Sequence, residues 1–292
     1  MIHSNKISFA LTATISLLPY CLSSPTILGP GHAISRRLIS GYHDCDDGQR
    51  KKLGQDFADA ANFALHAIDM DNTKEAFTHY FRTSGDGKSE DWNNAKSIWD
   101  TIQQDNDPTN APFVFSVRCA KADDQECGDK ASLSFAITDA RPQDGDTPRE
   151  MKICPDFFTH ASTKQSTTSH PYKPNPGRRD DSWCKPGTKF SGFSVGGLTL
   201  LHEMTHLDAV AKAAGYPEVD DPAGFKSHGT EDISGLKPDN DPVQQARNLA
   251  KLWQDGKQSD QTLKPFRNAE SLAASALEWY VMKFCEIGEI DN

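Results

Sequence analysis

The stretch SVGGLTLLHEMTHLDAVAKAAG, Ser194 to Gly215, places Leu200, Met204, Leu207, Ala211 and Ala214 at i, i+4, i+7, i+11 and i+14. That spacing draws one apolar stripe along a helix. Gly215 supplies a C-terminal stop, and Pro217 follows just beyond it. At about 100° per residue, His202 and His206 fall together on the face opposite the stripe, with Glu203 flanking them.

Two imidazoles one helical turn apart can reach a single tetrahedral zinc, and the glutamate between them stands beside the open coordination position. Such an arrangement suits metal-assisted hydrolysis, with a carboxylate that takes a proton from water and returns it to a leaving amine. Two histidines and a water leave one position for the protein to fill, since catalytic zinc usually has three protein ligands. The competing reading is two solvent-facing histidines on an ordinary amphipathic helix.

Upstream, Leu53, Phe57, Ala61, Ala64, Leu65 and Ile68 keep helical spacing and predict a long helix within Asp46 to Met70. Shorter helices are expected around Lys74 to Phe81 and Trp92 to Ile102. The texture then turns to short β-like runs, Phe113 to Arg118, Ser132 to Thr138 and Met151 to Cys154, which predict a small mixed sheet. Residues 162–192 are rich in Ser, Thr, Pro and Gly without an apolar period, and read as a long surface loop. Past the quoted stretch, Val243 to Trp253 and Ala269 to Phe284 carry helical patterns. This order of elements, without internal repeat, predicts a mainly helical α+β domain over 38–292.

The first 24 residues read as a secretory signal, in which Lys6 is the only charge before the apolar run Ile7 to Leu22. The dibasic pair Arg36-Arg37 reads equally as a processing site, making 25–37 a short pro-segment, or as a basic surface pair. Cleavage there would take the formal charge from -10 to -13. An acidic body argues against nucleic acid or anionic membrane as partner. Of the seven cysteines, Cys21 lies in the signal, leaving Cys45, Cys119, Cys127, Cys154, Cys184 and Cys285. In an exported chain these are expected to form three disulfides.

The neighbourhood Leu200-Leu201-His202-Glu203-Met204-Thr205-His206 resembles the aspzincin family of secreted zinc metalloendopeptidases, which includes deuterolysin and peptidyl-Lys metalloendopeptidase. Met151 to Phe158 is similar to the family's strand ahead of the zinc helix, and Asn268-Ala269-Glu270-Ser271-Leu272 to its Asn-Ala-Asp-Ser-Tyr segment. The resemblance implies a zincin-like fold, one zinc per chain, and a third ligand from a Gly-Thr-rich motif ending in Tyr-Gly. Gly229-Thr230-Glu231-Asp232-Ile233-Ser234-Gly235 is the matching stretch, and anchoring on Gly-Thr makes Asp232 the ligand. Counting back from Gly235 favours Glu231, while Asp220, Asp221 and His228 are rivals by proximity along the chain. The family's Tyr, an oxyanion stabiliser, is missing here, and Tyr280 is a candidate substitute.

These readings together predict a secreted, monomeric zinc endopeptidase acting on protein or peptide substrates. His202, His206 and Asp232 hold the metal, Glu203 is the catalytic base, and the resemblance implies a preference for Lys or basic residues near the cut. The rival is a catalytically weak or inactive effector-like secreted binding protein on the same zinc scaffold. Retention of Glu203 argues against it, because a pure zinc binder needs no general base.

Overall fold

The structure is a computed structural model of the 292-residue chain. It describes residues 39–103, 113–128, 135–144, 147–163, 165–167, 189–221, 224–233, 235–238, 241–285, 287–288 and 290–291. The signal segment 1–24, the segment 25–37 with Arg36-Arg37, most of the 162–192 loop and Cys184 lie outside the described residues.

Among the described residues, helices accompany a small four-stranded mixed sheet and a separate two-stranded hairpin, an α+β arrangement. Strand β1 (Ile39–His43) leads into helix α1 (Asp47–Ala67), whose start is fixed by a reciprocal capping box between Asp46 and Gln49. Helices α2 (Glu75–Thr78) and α3 (Gly85–Gln103) follow, then β2 (Phe115–Cys119), β3 (Ala136–Thr138) and β4 (Arg149–Ile153). The sheet order is β1-β2-β4-β3, with β1, β2 and β4 parallel and β3 antiparallel to β4 at one edge.

The quoted stretch is two helices rather than one: α4 (Gly196–His206) and α5 (Asp208–Ala213), separated by Leu207 in an extended conformation. The break has a visible cause. The Thr205 carbonyl accepts the Thr230 N–H at 3.1 Å, and the His206 carbonyl lies hard against Gly229, where a Cβ would sit 2.2 Å from the oxygen. The last carbonyls of α4 are thus turned toward residues 229–230 instead of continuing the helix. A hairpin of two-residue strands, β5 (Val219–Asp220) with β6 (Lys226–Ser227), precedes that segment, and α6 (Pro242–Gln254) and α7 (Ala269–Cys285) follow it.

Helix α1 packs against α3, α4 and α7, and Leu53, Phe57, Phe63, Leu200, Met204 and Leu277 meet in the core. The α1–α4 crossing is close because α4 opens on two glycines. A Cβ at Gly197 would fall 2.6 Å from the Asp59 Cβ, and one at Gly196 would fall 2.5 Å from an Asp56 oxygen. The buried Asp56 carboxylate faces the N-terminal turn of α4, where the helix dipole favours negative charge, and the Asp59 carboxylate accepts from the Thr167 N–H and hydroxyl. Burial nevertheless lifts their pKa values, to about 7 for Asp56 against the pull of Lys52, and to about 6 for Asp59 against hydrogen bonds from Thr167.

Disulfides join Cys45 to Cys119 and Cys127 to Cys154, tying α1 and the 127 segment to the ends of the sheet, and Cys285 is disulfide-bonded as well. Bridged cysteines fit an oxidising environment. Among the described residues, no helix is long and apolar enough to cross a membrane.

Candidate metal centre

Helix α4 presents His202 and His206 one turn apart, and the segment after Gly229 brings Asp232 over them. The three donor atoms all lie within 4.8 Å of one another. Asp232 Oδ1 is 3.0 Å from His202 Nε2 and 3.3 Å from His206 Nε2, and the two Nε2 atoms are 3.1 Å apart. Ligand atoms of a tetrahedral zinc with bonds of about 2.0–2.1 Å stand about 3.3–3.4 Å apart, so this triangle and its mix of imidazole and carboxylate donors fit such an ion.

Each imidazole is oriented from behind. His202 Nδ1 donates to Glu270 Oε2 at 2.9 Å, and His206 Nδ1 donates to the Thr230 carbonyl at 2.8 Å. A carboxylate and a carbonyl only accept, so each Nδ1 carries a hydrogen, and both Nε2 atoms face the centre, where losing any second proton readies them for a metal. Asp232 is held through its backbone neighbours. Glu231 N–H donates to the Arg267 carbonyl, Ala269 N–H donates to the Glu231 carbonyl, and Ile233 N–H donates to Asn268 Oδ1 at 3.2 Å. The segment Arg267 to Glu270 therefore supports both His202 and the Asp232 segment.

Of the rival acids, Glu231 turns its carboxylate toward Arg267, 4.0 Å away. Asp220 lies on β5, and Asp221 lines the neighbouring cavity. His228 bonds instead to the buried Asp208 at 2.8 Å. Tyr280 packs on Phe63 with ring centroids 4.9 Å apart and lines neither cavity at the centre. As one candidate for the missing Tyr's place it thus stands away from the centre, on the α7 face turned toward α1. Among the described residues no tyrosine lines either cavity.

Glu203 is 8 % exposed and accepts a hydrogen bond from Thr138 Oγ1 through Oε2 at 2.7 Å. Two cavities meet at Glu203 and Asp232. One, of about 560 Å³, runs beneath Ala136 to Arg141 and is bordered by His206, Asp221 and Glu231. The other, of about 480 Å³, runs past His202 between the start of α4 and Val243, with Val195, Leu198 and Ile233 on its walls. Sequence reading missed Thr138 and Thr230 as partners of the centre, and gave Glu270 no role.

Burial works against charge on His202, but the Asp232 and Glu270 carboxylates outweigh it and hold its pKa well above the ordinary imidazole value. His206 moves the same way, burial again being outweighed by Asp232. Burial pushes the Asp232 carboxyl up, and the two imidazoles pull it well below the usual range. Without metal these shifts favour a protonated centre, so a metal ion must displace protons to bind. Zinc affinity is therefore expected to fall as pH drops, starting above the ordinary imidazole range near about 6.5. Competition with a chromogenic chelator across pH measures this, and a flat profile between pH 6 and 8 would contradict it.

The same geometry separates the candidate third ligands. Asp232→Ala is expected to weaken metal binding strongly, while Glu231→Ala and Asp221→Ala leave it within a few-fold of the unaltered chain, because of the three only Asp232 belongs to the donor triangle. Chelator competition on the three variants checks the order, and a damaging Glu231→Ala would reverse the assignment. A scan against models of known protein families finds no match to this chain, and a search of curated proteins finds none either.

Proposed function

We propose that this chain is a secreted, monomeric zinc metalloendopeptidase of zincin-like fold, related to the aspzincins its sequence resembles. The observation that carries the reading is the convergence of His202, His206 and Asp232 on one point beside the Glu203 carboxylate, at the junction of two cavities under a sheet edge. Zinc held there would supply Lewis acidity, polarising the scissile carbonyl and acidifying a water molecule.

The chain's own residues do the rest. Strand β3 is the sheet edge over the cavity, and an extended peptide can add to it as a further antiparallel strand. Glu203 takes a proton from the attacking water as its oxygen adds to the carbonyl carbon, then passes that proton to the amide nitrogen as the C–N bond breaks. Asp221 and Glu231 place acid on the wall of the larger cavity, which suits the preference for Lys or basic residues that the resemblance implies. The acidic net charge of -10 favours the same substrates by long-range steering.

The test is zinc content measured alongside cleavage of casein and a broad peptide library by the purified protein. One zinc per chain with internal cleavage that stops on chelation is the expected result. A fully zinc-loaded chain that cleaves nothing would favour the binding-protein reading, for which the absence of a tyrosine from the described cavity walls is the one supporting observation.

A further inference from the structure

Thr138 stands at a junction that the motif alone does not reveal. Its hydroxyl lies 2.7 Å from Glu203 Oε2 and 3.2 Å from the Glu203 backbone carbonyl, and it donates its one proton to the nearer carboxylate oxygen. The backbone of Thr138 has a separate task, set by the ladder. Phe135 C=O accepts the Cys154 N–H, and Asp139 N–H donates to the Glu150 carbonyl. Ile137 lies opposite Lys152 in the same register. In antiparallel pairing, alternate residues direct both N–H and C=O to the same neighbour. Residues 135, 137 and 139 thus face β4, and Ala136 and Thr138 direct their backbone groups to the outer edge, over the cavity that reaches the metal centre.

We infer that Thr138 is a positioning residue that couples substrate pairing to the base: its backbone receives the peptide strand while its hydroxyl fixes the Glu203 carboxylate. This rests on the endopeptidase reading and adds to it a residue outside the His-Glu-x-x-His motif. Occupying Oε2 leaves Oε1 as the oxygen that works on water. It also means that a peptide docked on β3 is registered against the strand that holds the base, so strand pairing and proton transfer share one reference frame. Misplacement of a reacting group by about 1 Å can cost about 100-fold in rate.

The experiment compares Thr138→Val, nearly the same shape without the hydroxyl, with Thr138→Ser, which keeps it. With zinc-loaded protein and a peptide substrate, Thr138→Val is expected to lower kcat by about 10- to 100-fold with KM within about threefold, because the backbone groups that meet the peptide are unchanged. Thr138→Ser should restore kcat to within about threefold of the unaltered protein. Zinc per chain and thermal midpoint should stay level across all three. Equal kcat in Thr138→Val, or equal losses in Val and Ser, would overturn the inference. A second measurement holds whether or not the protein cleaves peptides. Crystal structures of the unaltered and Thr138→Val proteins should show Glu203 displaced in the variant, and an unmoved carboxylate would overturn the inference. An inert unaltered protein with Glu203 displaced in Thr138→Val would instead count against the endopeptidase reading alone.

Discussion

Glu203→Gln is expected to leave the chain folded and zinc-loaded while peptide cleavage falls by about 10² to 10⁴, the usual worth of a positioned general base. The substitution keeps the side chain's size and an oxygen that can still accept from Thr138, so the buried contact at the end of β3 survives. What is lost is the carboxylate that must accept a proton. Neither imidazole is touched, and the bonds they donate to Glu270 and the Thr230 carbonyl, which orient them, lie on the other side of the rings. Steady-state kinetics on a peptide substrate, with zinc measured on the same sample, checks this. Cleavage within a few-fold of the unaltered rate, at full zinc, would remove Glu203 from the mechanism.

The second large effect concerns the metal itself. His206→Ala or His202→Ala removes one corner of the donor triangle and leaves two ligands, so zinc affinity is expected to fall by more than the about 10- to 100-fold typical of losing a second partner behind a ligand. Glu270→Ala supplies that smaller step as an internal scale, since it frees His202 Nδ1 without removing the imidazole. Metal competition assays should order the variants with either histidine worst and Glu270→Ala intermediate. Full zinc in His202→Ala or His206→Ala after dialysis would contradict the assignment.

Much of this was legible in the sequence, for physical reasons that also mark where legibility stopped. Helix α4 carried two signals at once, an apolar stripe and a His-Glu-x-x-His spacing on the opposite face. The break at Leu207 carried none, because leucine is a good helix former and the cause lies in Gly229 and Thr230 pressing on the last carbonyls. Strand β1 was missed because Ile39-Ser40-Gly41-Tyr42-His43 has too little alternation to stand out, and its pairing with β2 spans a long stretch of chain. Helix α3 begins at Gly85, ahead of the expected Trp92, because its first turns are polar and only the later ones bury Ile98, Trp99 and Ile102.

The centre shows the same divide. Residues on one helix could be read by rotation, whereas Asp232 came through a resemblance and could not be separated from Glu231 by spacing alone. The two acids are neighbours in sequence, and the backbone bonds of Glu231 to Arg267 and Ala269 turn one toward arginine and the other toward the imidazoles. Glu270 was invisible as a partner because an acid in the first turn of a helix ordinarily serves the helix dipole. Thr138 looked like any strand threonine until β3 was seen at the sheet edge above Glu203.

X-ray absorption at the zinc edge on the purified protein tests the central claim most directly. The expected spectrum is one zinc per chain bound by two imidazole nitrogens and carboxylate or water oxygens at about 2.0–2.2 Å, with no sulfur in the shell. A shell containing sulfur at about 2.3 Å, only one imidazole, or no bound zinc at all would contradict a centre built from His202, His206 and Asp232.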